Sequence, residues 1–312
     1  MNSYFNMNGR KQSSIISWLR LVRLPNLFTA IGDSLAGLCI ASCVTGIGFG
    51  LWKLALLPLC GVLMYAAGII LNDWHDIPDD RRHNPDRPLA AGLIAPSFAL
   101  LVAIVMALAA LALAALLGRM TFLVAIVLTL AILAYNNILK RYPKQGAICM
   151  GVCRMLNFLL GVAAVKVTAD IAIPAVTLLS YIAYVTYLAD SENRKVQIPD
   201  KNVFYPAIIF GVGWLVSAIT VLRVHFCGSF FVSLICAILG AGLAAFAGMR
   251  VYNKSIRSNE AHAFIGNLIS ALIPMQASAI AMAFPAHGIL VIVIAVLLWA
   301  ITVALGKVFR QS

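Results

Sequence analysis

LALLPLCGVLMYAAGIILNDWHDIPDD, residues 54–80, joins two kinds of sequence in one stretch. Residues 54–72 carry no charge, and their length is about what a helix needs to cross a hydrocarbon core roughly 30 Å thick. The next residues, Asn72-Asp73-Trp74-His75-Asp76-Ile77-Pro78-Asp79-Asp80, place a dense set of carboxylates where such a helix would leave the lipid. A soluble core helix has no use for the first part, and a simple membrane anchor has none for the second.

Outward from this stretch, similar apolar runs recur to both ends of the chain. Of 312 residues, 62% are hydrophobic and 11% charged, where a soluble domain is about a quarter charged. Mean hydropathy is +0.96. The expected fold is all-α: a polytopic transmembrane helical bundle of nine or ten spans, organised as a single membrane domain over 1–312. Ten spans are read, at roughly 26–46, 54–72, 96–117, 121–138, 147–165, 170–189, 203–222, 228–248, 261–284 and 288–306. Residues 13–23 form an amphipathic segment suited to lying in the interface. The polar first dozen residues and the lack of a small-residue cleavage site argue against a signal peptide.

The net charge of +12 is a topology signal. With the N-terminus placed inside, 18 of the 23 Lys and Arg residues fall in inside segments; Lys53, Arg119, Lys166 and Arg223 lie outside, and Arg154 lies within a span. This follows the positive-inside rule, so the expected location is a bacterial inner membrane with the N-terminus and polar loops cytoplasmic. Anionic lipid is the expected partner of these charges, and nucleic acid is excluded. Nine of the eleven acidic residues, all but Asp33 and Asp170, sit on the same side. Acids contribute little to orientation, so that bias points to chemistry. The seven cysteines lie mostly inside apolar runs, without metal-ligand spacing, and read as packing residues. The scattered histidines, His75 among them, read as surface groups.

At 100° per residue, Asp73, Asp76 and Asp80 fall at about 0°, 300° and 340°, with Asn72 at about 260°. All four share a face if the helix continues past Pro78, which removes an amide and disfavours a helical Ile77. Clustered carboxylates stay ionised cheaply only with a cation among them, and hard oxygen ligands suit Mg²⁺ completed by phosphate oxygens. The plainer alternative is a solvated turn whose acids balance Arg81, Arg82 and Arg87.

The N-D-x-x-D-x-x-x-D pattern at Asn72, Asp73, Asp76 and Asp80 resembles the first Asp-rich motif of the UbiA superfamily of intramembrane prenyltransferases. Arg87-Pro88-Leu89-Ala90-Ala91-Gly92 is similar to that family's R-P-L-x-x-G segment, and Arg23-Leu24-Pro25-Asn26 to its opening. Tyr135 followed by Lys140 and Arg141 stands where the family carries a tyrosine and then a basic residue. The resemblance implies a Mg²⁺-dependent transferase of prenyl groups. Its metal ligands would be Asp73, Asp76, Asp80 and Asp190, with Asn72, Asn26 and Arg141 on the diphosphate and Lys140, Tyr135 and Arg87 as catalytic groups. The implied partners are a prenyl diphosphate and a lipophilic acceptor. Met150 to Gly161 resembles the EboC-like branch.

Two features depart from the pattern. The family's second motif pairs two aspartates four apart, whereas here Asp190 is followed by Arg194, with Glu192 between them. Family members have nine helices, against ten runs here. Arg154 and Asn157, on one face of span five, admit two readings: diphosphate binding, or a buried pair between Arg154 and Asp33. Asn267 and Gln276 suit interhelical hydrogen bonds. Prenyl-diphosphate cyclisation, transfer of another phosphate-linked group, and lipid or metabolite transport remain alternative functions.

Overall fold

The computed structural model describes residues 14–193, 200–224, 230–252, 258–283 and 288–309, and the described elements are all helical. Arg194 and the side chain of Glu192 lie outside what is described, as do Lys195, Lys254 and Arg257 among the loop cations. A short helix α1 (Ser14–Leu21) precedes α2 (Leu24–Thr45), α3 (Lys53–His75), α4 (Ile77–His83), α5 (Pro96–Leu117), α6 (Arg119–Asn137) and α7 (Pro143–Ala163). Then come α8 (Ala172–Asn193), α9 (Tyr205–Val224), α10 (Phe230–Val251), α11 (Ser258–Ala283) and α12 (Gly288–Phe309). Ten of these, α2, α3 and α5 to α12, are long and apolar enough to cross a membrane. Of the nine or ten spans expected, the described residues hold ten.

The helix starts explain where sequence boundaries shift. Proline is tolerated in a first turn, whose amides have no intrahelical partner, and Pro96 and Pro143 open α5 and α7. The expected start of span five near 147 therefore moves back to Pro143. Likewise the span expected to end at Asn72 runs on to His75. Pro78 then sits in the first turn of α4, so the chain resumes helix after Asp76. Asp76 accepts the Asp79 and Asp80 amides at 3.0 and 2.8 Å across the junction, and the acidic face is continuous.

Three helices lie inside the bundle. Their apolar windows are 67%, 61% and 67% buried for α2, α7 and α11, against 22% or less for α5, α6, α9 and α12. Without water to drive helices together, membrane packing relies on small residues and polar links. On α5, Ala99, Ala103, Ala110 and Ala114 are buried, while Leu101, Ile104, Val105 and Leu108 face outward. Between α2 and α7 contact is closer still. A Cβ at Gly161 would overlap the Ser34 carbonyl oxygen, and one at Gly37 the Phe158 carbonyl.

Two apolar clusters flank this central pair. One joins Leu57, Cys60 and Met64 of α3 to Ala110 and Ala114 of α5, Leu128 of α6 and Leu156 and Leu160 of α7. The other joins Tyr181, Val185 and Leu188 of α8 to Ala244 and Val251 of α10 and Leu268 and Leu272 of α11. The helix ends are tied by polar contacts. Lys53 Nζ donates to the Ala164 carbonyl at 2.6 Å, a cation on the C-terminal carbonyls of α7. At the opposite end, the His75 ring bonds the Leu71 carbonyl at 2.8 Å and Asn137 Oδ1 at 3.0 Å. That use of His75 is structural, since it joins α3 to α6.

Candidate active site

At the end of the bundle where α3 passes into α4, cations from three elements converge on the acidic face. Arg23 Nη2 donates to Asp73 Oδ1 at 3.2 Å. Arg87 Nη1 donates to Asp80 Oδ2 at 2.9 Å and lies 4.0 Å from Asp73 Oδ1. Lys140 Nζ donates to Asp76 Oδ1 at 2.5 Å and to Asn72 Oδ1 at 3.4 Å. Asn72 Nδ2 in turn donates to Asp76 Oδ2 at 3.1 Å, and Asn84 Nδ2 to Asp80 Oδ1 at 3.2 Å. Asp73 and Asp80 are buried, whereas Asp79, Arg81 and Arg82 point outward. The alternative of a solvated turn balanced by Arg81 and Arg82 thus describes the outer face only.

Local structure explains how each cation arrives. Lys140 sits in a 3-10 turn, Leu139–Arg141, between α6 and α7. Arg87 precedes a turn that buries Pro88 and Leu89 and closes at Gly92, whose φ of 71° favours glycine. Arg23 itself has φ 51° and ψ 58°, a left-handed conformation that costs a residue with a Cβ about 1–2 kcal/mol. That backbone turns the chain from α1 into α2 and delivers the guanidinium to Asp73. Burial works against its charge, but attraction to its neighbours, Asp73 foremost, outweighs it and raises its pKa above the ordinary value.

The acidic face stands over a cleft between α3, α6 and α7. Its upper wall carries Arg23, Asn72, Tyr135 and Asn136; deeper come Tyr65, Gly68 and Ile132, then Gly61, Leu128, Arg154 and Asn157. Tyr135 is therefore placed at the top of an otherwise largely apolar space.

Other expected site residues lie away from the Asp-rich turn. Arg154 lies about 16 Å into α7 at 1.5 Å per residue and reaches Asp33 on α2. Its Nη2 donates to Asp33 Oδ1 at 3.2 Å and the Thr29 carbonyl at 3.1 Å. Its Nε is 2.9 Å from Asp33 Oδ2, out of line for a hydrogen bond. Asn157 Nδ2 donates to Asp33 Oδ2 and the Ala30 carbonyl at 3.3 and 2.9 Å. Gln276 Nε2, from α11, donates to Asp33 Oδ1 and the Thr29 carbonyl at 2.6 and 2.7 Å. Asp33 is fully buried, and removing one partner of such a pair costs about 3–5 kcal/mol. Arg154 and Asn157 are committed to Asp33, not to the Asp-rich turn, and Gln276 is the interhelical link expected of it.

Arg141 is exposed and, among the described residues, pairs with no carboxylate. Asn26 lies one turn into α2; its amide donates to the Arg23 carbonyl at 2.8 Å and its carbonyl accepts from Thr29 Oγ1 at 2.7 Å. Asp190 is half-buried near the end of α8, which packs on α7. Arg23 is the functional candidate that sequence reasoning passes over. Its signal is a basic residue just before the Leu-Pro that starts the first span.

Among the described residues, no three acidic, histidine or cysteine side chains converge as a ready metal cage. The donor set fits an ion that takes one or two carboxylates and completes its shell with phosphate oxygens and water, as Mg²⁺ does. Asp73 and Asp76, one turn apart on a shared face, would supply those carboxylates, and Arg23, Arg87 and Lys140 lie against the acidic face.

Comparison with known proteins bears on the family and the fold. The family model described as the UbiA prenyltransferase family matches residues 34–202. Digeranylgeranylglyceryl phosphate synthase from Sulfolobus acidocaldarius is 27% identical over 216 residues, 64% of this chain and 76% of the relative. The synthase of the same name from Methanoculleus marisnigri is 28% identical over 183 residues, 58% of this chain and 63% of the relative. A solved UbiA homolog from Archaeoglobus fulgidus, bound to DMAPP and Mg²⁺, superimposes with a TM-score of 0.56 at 19% identity, covering 89% of this chain and 99% of the other. That last likeness is one of fold.

Proposed function

The chain belongs to the UbiA prenyltransferase family, and we propose that it moves an isoprenyl group from its diphosphate to a lipophilic acceptor at the membrane. The observation that carries this is the convergence of Arg23, Arg87 and Lys140 on Asp73, Asp76 and Asp80 above a greasy cleft. Cations in that arrangement suit a diphosphate head, and the cleft suits its tail. The relatives named as digeranylgeranylglyceryl phosphate synthases and the DMAPP- and Mg²⁺-bound homolog support the same donor class.

In this reading Asp73 and Asp76 hold Mg²⁺, with Asp80 and Asp190 as further ligands. The ion, when bound, supplies positive charge against the diphosphate. Lys140, Arg87 and Arg23 turn from the carboxylates to the phosphate oxygens, with Asn72 beside them. As the C1–O bond breaks, its electron pair stays with the diphosphate, and these fixed cations stabilise the growing charge. The Tyr135 hydroxyl, at the top of the cleft, donates to the same leaving group. The apolar walls keep water from the allylic cation, which the acceptor attacks at carbon, losing a proton. Residues 1–312 then work as one membrane unit, with the mouth on the cytoplasmic side.

The test is turnover of labelled prenyl diphosphates by purified protein with Mg²⁺. Asp73→Ala and Asp76→Ala each lower the rate at least about a hundredfold, as losses of single charge-stabilising groups do. Unchanged turnover in both variants overturns the assignment.

A further inference from the structure

The cleft below the Asp-rich turn reaches down to a buried polar cluster. Its deepest lining residues on α3 and α7 are Gly61 and Asn157, and Asn157 is one of the side chains clasping Asp33. Tyr65 covers Arg154 from the cleft side, with the guanidinium 5.5 Å from the ring centroid. Beyond the clasp lies a second, mostly apolar pocket, walled by Ile40, Phe158, Trp214 and Met275 and bounded on the near side by Asp33 and Gln276. A buried ionic clasp therefore stands as a partition between two apolar spaces.

We propose that this clasp, Asp33, Arg154, Asn157 and Gln276, is the floor of the donor cleft and limits the donor to three isoprene units. The proposal rests on the reading above, in which the diphosphate sits at the mouth. From Asn72 to Gly61 is eleven helical steps on α3, a depth of about 16 Å. Three backbone bonds of an extended chain span at most about 3.6 Å, so a four-bond isoprene repeat spans about 4.8 Å. Three units fill the cleft and a fourth meets the floor. Apolar walls would yield to a longer tail by side-chain rotation. This floor cannot move without separating a buried carboxylate from its partners, which is why it acts as a stop.

The floor is also adjustable from both sides. A Cβ on Gly61 would lie 2.5 Å from Asn157 Oδ1, so a side chain there presses on the floor itself and shortens the cleft. Removing the amides of Asn157 and Gln276 leaves the Asp33–Arg154 pair and opens a way past it towards the second cavity.

The experiment is calorimetric titration of the full-length protein in lipid nanodiscs, with Mg²⁺ and unreactive thiolodiphosphates bearing dimethylallyl, geranyl, farnesyl or geranylgeranyl tails. Affinity is expected to rise through farnesyl and to fall at least about tenfold for geranylgeranyl, as expected when a pocket discriminates by size. Gly61→Leu is expected to move the optimum down to geranyl. The Asn157→Ala/Gln276→Ala double variant is expected to raise geranylgeranyl binding relative to farnesyl at least about tenfold. Opposite shifts cannot come from loss of folding. Geranylgeranyl binding as tight as farnesyl in the unaltered protein, or an optimum that stays put in both variants, overturns the floor alone. Failure to bind even the dimethylallyl compound overturns the donor reading and the floor with it.

Discussion

Arg23 combines an unfavourable backbone with a functional contact, and substitution can separate the two. Replacing it with glycine removes the left-handed penalty together with the cation, whereas alanine keeps the penalty and loses the cation. Arg23→Gly is therefore expected to be more stable to heat than Arg23→Ala by about 1 kcal/mol, while both bind the donor equally poorly. Equal stabilities would show that the φ of 51° carries no strain. Asp33 offers a comparable separation. Arg154→Ala strands a buried carboxylate and is expected to destabilise by about 3–5 kcal/mol, whereas Arg154→Met with Asp33→Leu removes both charges and recovers most of that loss. Thermal unfolding of the two in the same detergent measures the difference. The carboxylate face was legible in the sequence because its spacing follows helical geometry. Arg23 was not, because what makes it a site residue is a backbone turn. The partner of Arg154 was legible only as a pair of alternatives, since depth in a span brings Asp33 and Arg154 to one level without saying that they touch.

Among the helices, α2 and α7 depend on closeness. Because a Cβ at Gly161 would overlap the Ser34 carbonyl, Gly161→Ala has to push the two helices apart, and overpacking of that kind costs about 1–3 kcal/mol. The same displacement draws Arg154 away from Asp33, so the variant should lose more stability than an equivalent change at Gly242, whose added Cβ meets nothing. Comparing the melting temperatures of Gly161→Ala and Gly242→Ala checks this. Helix number and order could be read from the sequence because lipid forces every backbone group into helical bonds. Helix ends could not, because Pro143 and Pro78 start helices where a count of apolar residues sees only polar connection. The inner position of α11 was also hidden, since nothing in its composition says that Gln276 reaches α2.

At the scale of the whole molecule, three cations and three carboxylates close the mouth on one another: Arg23 with Asp73, Arg87 with Asp80, Lys140 with Asp76. The mouth is its own salt. A diphosphate arriving alone would pull the cations away and leave the carboxylates bare; a magnesium ion arriving alone would do the reverse. Arriving together they allow a double displacement, each protein charge exchanging one partner for another of the same sign. Metal and diphosphate should therefore bind with positive coupling, typically about 1–3 kcal/mol and equal whichever is added first. Titrating a thiolodiphosphate with and without Mg²⁺, and Mg²⁺ with and without the thiolodiphosphate, closes that cycle. On the proposed function, a mouth built this way would reject either half of the salt and select the donor in its magnesium-bound form.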